Sequence, residues 1–123
     1  MAVIFDVFLQ ESPLSQPRNV VLGNLLSCVV GLCCRYIAVA SQDLQWLASA
    51  LAVSLSIVLM QLTLTLHPPA GATALVAASS TDVLILSQGW FLLLNPVLFG
   101  MIVMVCVAVL VDNVFLQFPT YWL

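Results

Sequence analysis

The sequence has one histidine, His67, and two prolines, Pro68 and Pro69, follow it directly. A histidine side chain can donate a hydrogen bond and can gain a positive charge between about pH 5 and 8. Two consecutive prolines end a helix, because proline lacks a backbone N–H and its ring clashes with the preceding turn. A group that can carry charge therefore lies beside a helix break, which makes His67 the first candidate for a binding residue.

The chain around this motif is too apolar for a water-soluble domain. Of its 123 residues, 63% are hydrophobic and 6% are charged, and the mean hydropathy is +1.21. Soluble domains carry about 25% charged residues. The composition predicts an integral membrane protein whose surroundings are the lipid bilayer. Lysine is absent and arginine occurs twice, so no basic patch for nucleic acid is expected.

The cysteines all lie within apolar runs, at Cys28, Cys33, Cys34 and Cys106. One adjacent pair with distant single cysteines is not the spacing of a zinc site or of a disulfide framework. We interpret them as small apolar side chains, with a heavy-metal or redox role for Cys33 and Cys34 as the alternative. No nucleophile–base pair is apparent either. We therefore expect no enzyme activity, no metal and no cofactor.

Three apolar stretches are long enough to cross a bilayer, which takes about 20 residues of helix. They cover approximately residues 20–36, 46–66 and 90–110. Segment 69–78, which follows the two prolines, is too short to cross. It is either a half-helix inside the membrane or a turn at its surface, and its small residues favour the half-helix. The predicted fold is all-α, a polytopic membrane helical bundle of three transmembrane helices and a short half-helix, forming one domain over 1–123.

Small residues recur at intervals of three and four along two of these spans, which places them on one helix face. We assign helix packing to Gly23, Ser27 and Gly31 in the first span and to Ser56 and Thr63 in the second. Such faces let membrane helices approach closely, so the first two spans are expected to pack through Gly23, Ser27 and Gly31. The alternative is that these faces line a path for a polar solute.

A proline-led stretch occurs twice, as "PRNVVLGNLLSCVVGL" from Pro17 and as "PVLFGMIVMVCVAVL" from Pro96. Repeats are common in transporters whose broken helices meet near the membrane midplane. If each copy consists of a span, a short helix, a loop and a second span, residues 1–9 are the tail of a short helix. A span before them would then be missing. The alternative is a three-span protein in which nothing is missing.

Two blocks of the sequence resemble hallmarks of the HPP family of integral membrane proteins. "HPPAGATAL", His67–Leu75, is similar to the family signature, and "SPLSQPRNVVLGNLLSCVVGL", Ser12–Leu32, is similar to its second block. The similarity extends over nearly the whole chain. The family usually has four spans, so the resemblance also implies that the first one is absent. Where the family tends to carry a histidine, this chain has Asn24.

The resemblance implies transport of a small anion such as nitrite, because plant and cyanobacterial members include nitrite transporters of the chloroplast envelope. Two alternatives stay open, namely transport of another small solute and a structural or regulatory membrane subunit, including a truncated fragment. The membrane would be a plastid envelope or a bacterial-type inner membrane, with the organelle undetermined. Three spans do not easily enclose a path, so a homo-oligomer is expected.

We expect the solute to bind where the two proline breaks interrupt the helices. A half-helix after Pro68 and Pro69 would aim unpaired N–H groups and its positive dipole end into the bundle. Helix N-termini bind anions readily. Arg18 would add a permanent charge at the equivalent break. The predicted substrate-binding residues are Gln16, Arg18, Asn19, His67, Pro68, Pro69, Gly71 and Thr73.

Overall fold

The computed structural model of the protein describes residues 14, 16–40, 42–79 and 89–114. All regular structure in these ranges is helical, which confirms the all-α prediction for them. The predicted short-helix tail at 1–9 lies outside them. The α-helices are α1 (Pro17–Ala40), α2 (Gln45–Leu62), α3 (Ala70–Ser79) and α4 (Phe99–Asp112). A 3₁₀ turn, Gln42–Leu44, joins α1 to α2, and a π-helical segment, Leu93–Leu98, leads into α4.

Within the described ranges, three segments are long and apolar enough to cross a membrane: Pro17–Ile37, Gln45–Leu62 and Leu93–Val111. Their mean hydropathies are 1.8, 1.6 and 2.6. Helix α3 has 10 residues and is therefore about 15 Å long, roughly half of the hydrocarbon thickness. The predicted bundle of three spans and one short helix is confirmed.

The second span ends at Leu62, four residues before the predicted end near residue 66. After it, Leu64 adopts a left-handed backbone with φ 55°. The Leu64 N–H donates to the Gln61 carbonyl at 3.2 Å, and the Thr65 N–H donates to the Met60 carbonyl at 2.9 Å. These two bonds form a Schellman motif, in which glycine usually occupies the left-handed position. Because leucine stands there, this helix end could not be predicted from residue types.

The first and third spans also differ from their predicted bounds. Helix α1 begins at Pro17 rather than near residue 20, because the fixed φ of proline suits the first helical turn. The third span bends near its start, where Asn95 has extended dihedral angles, φ −137° and ψ 117°. Pro96 follows it, and proline disfavours the helical conformation of the residue before it. The third span predicted over 90–110 is thus observed as Leu93–Val111, with a bend at Asn95.

Helix α3 packs against both α1 and α2, and small residues form the contact. Its buried residues are Ala70, Gly71, Ala74, Ala77 and Ala78. A Cβ atom added to Gly31 would lie 2.5 Å from the Ala74 carbonyl oxygen and 2.7 Å from the Ala77 Cβ atom. The α1 backbone therefore approaches α3 directly. The prediction that Gly31 packs the first two spans together is wrong, because α3 occupies that place.

The other predicted packing residues lie nearer to α2. The Ser27 hydroxyl is buried and lies 3.7 Å from the Met60 sulfur of α2. A Cβ atom added to Gly23 would lie 3.3 Å from the same sulfur. Ser56 is buried on α2. Thr63, by contrast, is exposed, and its hydroxyl bonds the Leu59 carbonyl at 2.8 Å, so it does not face a neighbouring helix.

Helix α4 lies apart from this three-helix core. None of the described side chains from Phe99 to Val111 is buried. An apolar groove of about 620 Å³ separates α4 from α1, and Val21, Ile102 and Val109 are among the residues that line it. In a bilayer these exposed apolar side chains contact lipid tails instead of water, so their exposure carries no hydrophobic penalty.

Candidate functional site: a buried polar cluster at the meeting of two helix breaks

The two predicted breaks meet in the folded chain. The His67 Nδ1 atom lies 3.0 Å from the carbonyl oxygen of Leu14, just before the start of α1. On the other side, a Cβ atom added to Gly23 of α1 would lie 3.0 Å from His67 Cβ and 2.9 Å from the Thr65 carbonyl oxygen. The connection between α2 and α3 is thus held against the first turns of α1.

This meeting point lies level with the interior of the first candidate span. Gly23 is six residues after Pro17, the first residue of the span Pro17–Ile37. At a rise of about 1.5 Å per residue, it lies roughly 9 Å inside the end of that helix. The break at His67–Pro69 is therefore level with the interior of α1, which favours the half-helix over a turn at the membrane surface.

Polar side chains collect around this point in an otherwise apolar bundle. We name as the inner polar cluster the residues Gln16, Asn19, Asn24, Thr65, His67 and Thr73. The first four of them are at most 6% exposed. The Thr73 hydroxyl donates to Asn24 Oδ1 at 2.6 Å, and Asn24 Nδ2 donates to the Val20 carbonyl at 2.8 Å. Because buried polar groups are costly without partners, these bonds fix α3 against α1.

The hydrogen bond of His67 determines what its ring can offer to a solute. A carbonyl oxygen only accepts, so Nδ1 must carry the hydrogen that it shares with Leu14. In the neutral ring, Nε2 is then an acceptor. It becomes a donor only when the ring takes up a second proton. His67 can therefore recognise an anion through Nε2 only in its charged form.

The backbone at the start of α3 does not provide the predicted donors. The N–H groups of Ala70, Gly71 and Ala72 donate to the carbonyls of His67, Pro68 and Pro69 at 2.9, 3.0 and 3.0 Å. The prediction of unpaired N–H groups at this end is wrong, because the proline turn folds its own carbonyls back onto them. The positive end of the helix dipole still points toward the cluster, but hydrogen-bond donors for a solute must be side chains.

A cleft opens beside the cluster, between α3 and the bend at Asn95. It has a volume of about 280 Å³, and its lining is Ala72, Thr73, Val76, Leu92, Pro96 and Val97. Thr73 is the polar residue of this wall, and its hydroxyl is the one that donates to Asn24. A third proline-marked irregularity thus borders the same region.

The comparisons with known proteins cover nearly the whole chain. The profile of the HPP transmembrane region matches residues 2–119. The chain belongs to the HPP family. It is 42% identical to a transmembrane protein of Dictyostelium discoideum over 122 residues, which are 98% of this chain and 41% of the relative. A second Dictyostelium discoideum transmembrane protein is 40% identical over 114 residues, 91% of this chain and 36% of the relative.

The HPP chain thus spans less than half the length of these curated relatives. No solved structure is significantly similar to it. The family assignment together with the three apolar helices makes it an integral membrane protein.

Of the residues predicted for the site, His67 lies against Leu14 and Gly23, Thr73 bonds Asn24, and Gln16 and Asn19 are buried at the start of α1. Gly71 is buried and its N–H is paired, whereas Pro68 and Pro69 are exposed and shape the turn. Arg18 is half-buried on the first turn of α1.

Sequence reasoning missed Asn24 and Thr65 as cluster members. Asn24 was noted only because the HPP pattern tends to have histidine there, yet an amide within an apolar span is itself a signal. Thr65 gave no signal, because it stands in what read as the continuing second span. Among the described residues, no group of three metal-binding side chains occurs.

Proposed function

We propose that this HPP-family protein moves a small anion such as nitrite across its membrane, with the inner polar cluster as the binding site. The observation that supports this is the burial of polar side chains where the first turns of α1 meet the connection between α2 and α3. Polar groups at membrane depth are expensive and are usually kept for substrate or ion pathways. The choice of nitrite, and of a plastid envelope or bacterial-type inner membrane, is carried by the family resemblance.

The charges near the cluster favour an anion. Arg18 on α1 is the charged residue at this end of the helix, and α2 and α3 contain no charged residue. The α3 dipole adds partial positive charge. When His67 takes up a proton, its Nε2–H becomes a donor for the anion. Binding would then couple one anion to one proton, so a neutral pair would cross the low-dielectric interior, which lowers the cost of moving the charge.

Nitrite uptake into liposomes that contain the purified protein tests this proposal. We expect uptake to increase as the external pH falls, because the proposal couples one anion to one proton. His67→Gln should remove that increase, and Arg18→Gln should lower uptake at every pH. Ser54→Ala removes an exposed hydroxyl of α2 and serves as the control. Protein-free liposomes correct for passive entry of nitrous acid. Unchanged uptake in both site variants would remove these residues from the mechanism.

A second candidate function follows from the neutral state of His67. With Nδ1–H bonded to Leu14, neutral Nε2 accepts hydrogen bonds, as would suit a small neutral or cationic solute. Competition distinguishes the candidates, since other small anions should inhibit nitrite uptake whereas cations and neutral solutes should not. Absence of flux for every solute would favour a structural or regulatory subunit. Crosslinking in the same liposomes measures the oligomeric state, for which we expect a homo-oligomer.

A further inference from the structure

The two terminal nitrogens of the Arg35 guanidinium are buried without a partner, although the residue as a whole is partly exposed. Its Nη1 and Nη2 atoms are shielded from solvent, and neither has a hydrogen-bond partner within the described structure. A buried guanidinium that lacks a counter-charge is strongly unfavourable, because the desolvation cost is not offset. Buried polar atoms without a partner are rare in native proteins and indicate a missing ligand or ion.

Arg35 lies far from the inner polar cluster. It follows Gly31 by one helical turn, on the face of α1 that packs on Ala74 and Ala77 of α3. It is 12 residues after Gly23, or about 18 Å along the helix axis. The guanidinium therefore belongs to the other end of the bundle.

Exposed aromatic side chains mark this end as the membrane interface. Tyr36, the next residue of α1, is 65% exposed, and Trp46, at the start of α2, is 70% exposed. Tyrosine and tryptophan concentrate at the level of the lipid headgroups. The phosphate groups of lipids lie at that level, so an oxyanion is available beside Arg35.

The chemistry of the group selects the ligand class. A guanidinium presents a planar fork of donors that matches two oxygens of a phosphate. Asp43, in the turn after α1, is exposed and does not bond Arg35. We propose that Arg35 binds a phosphate oxyanion, either the headgroup of an anionic phospholipid or free phosphate, at the headgroup level of the bundle. This site is independent of the transport proposal, because it shares no residue with the inner polar cluster.

Thermal melting in a neutral detergent tests the site with the full chain. Without added anion, Arg35→Gln should melt no lower than the wild type, because the substitution removes an uncompensated buried charge. Added phosphatidylglycerol should raise the melting midpoint of the wild type, whereas phosphatidylcholine should not. Arg35→Gln should need at least about tenfold more phosphatidylglycerol for the same effect, the factor expected for a lost hydrogen bond to a charged group.

Two further variants control the result. Arg35→Lys keeps the charge but loses the fork, so it should respond more weakly than the wild type and more strongly than Arg35→Gln. Ser54→Ala removes an exposed hydroxyl of α2 and should keep the full response. Inorganic phosphate, tested in place of lipid, distinguishes the sources: stabilisation by phosphate at equal concentration supports a free oxyanion, and stabilisation by lipid alone supports a headgroup.

Two outcomes would overturn the proposal. One is a wild type that already melts well above Arg35→Gln without any added anion, since this would indicate a carboxylate of the chain itself as the partner. The other is an equal response of the wild type and Arg35→Gln to phosphatidylglycerol and to phosphate.

Discussion

Replacing Gly31 with alanine adds one methyl group at the closest approach between α1 and α3. The new carbon would lie 2.5 Å from the Ala74 carbonyl oxygen, 2.7 Å from Ala77 Cβ and 3.0 Å from Ala74 Cα. These neighbours are backbone atoms or a Cβ atom, so no side-chain rotation can make room. The two helices must separate, and the contacts between them must loosen.

The expected loss of stability follows from two opposing terms. Overpacking a tight contact costs about 1–3 kcal/mol, whereas alanine in place of glycine favours a helix by about 1 kcal/mol. The net destabilisation by Gly31→Ala should be about 1 kcal/mol, the middle of the range that the two terms leave. Gly100 provides the matched control on α4, because an added Cβ there meets nothing within 4 Å. Gly100→Ala should therefore be more stable than the wild type, by the gain in helix propensity alone.

Unfolding of both variants in mixed micelles with increasing sodium dodecyl sulfate, followed by circular dichroism, measures the difference. We expect the two variants to differ by about 2 kcal/mol, roughly 30-fold in the ratio of folded to unfolded protein. Gly71→Ala, whose added carbon would lie 3.8 Å from Val53 Cγ1, should resemble Gly100→Ala. If Gly31→Ala is as stable as Gly100→Ala, α1 and α3 do not approach as described.

Three more expectations concern the connection between α2 and α3. Leu64→Gly should raise stability by about 0.5–1 kcal/mol in the same unfolding assay, because glycine adopts a positive φ without strain; a loss of stability would contradict the left-handed turn. Thr73→Val keeps the side-chain volume but leaves Asn24 Oδ1 without its donor, which should cost about 1–3 kcal/mol and lower nitrite uptake. Wild-type stability would refute this bond. Pro68→Ala with Pro69→Ala should leave membrane insertion intact and abolish uptake, since the turn that leads into α3 loses the fixed φ of both prolines; retained uptake or failed insertion would count against the break as part of the site.

The membrane-spanning helices could be predicted from the sequence because the thickness of the bilayer sets their minimum length. A bilayer requires about 20 apolar residues for a span, and three stretches satisfy that requirement, the first with two arginines and the other two with no charged residue. The short helix was predictable because Pro68 and Pro69 separate it and because its residues are small. These features act locally, along consecutive residues, and so they are legible in a single chain.

The ends of the helices and the pairs of helices that pack together could not be predicted in this way. The second span ends four residues early because Leu64 takes a conformation that usually signals itself through glycine. The spacing of Gly23, Ser27 and Gly31 defines a helix face, but spacing does not say which helix faces it. Gly31 meets α3, because the short helix folds back between the two longer ones.

The sequence indicated where candidate site residues lie, but it did not indicate their hydrogen bonds. The sequence marked His67 and the region around Pro17, and the structure joins them through Leu14. It also marked Thr73, but the bond to Asn24 spans 49 positions of sequence, and no periodicity reports such a contact. The expected N–H donors of α3 are paired because the turn supplies its own carbonyls, a detail that depends on backbone angles alone.

The two ends of α3 constrain the order in which the protein assembles. A helix of 10 residues placed in hydrocarbon would leave backbone groups at its ends unsatisfied. Its first N–H groups bond the turn that precedes it, and its last carbonyl, that of Ser79, accepts a hydrogen from Gln45 Nε2 at 2.8 Å. Gln45 is the first residue of α2, which is synthesised before α3. The groups that satisfy both ends of α3 thus come before it in the chain, and we expect a circularly permuted chain that makes α3 first to keep those ends in water until α2 is present.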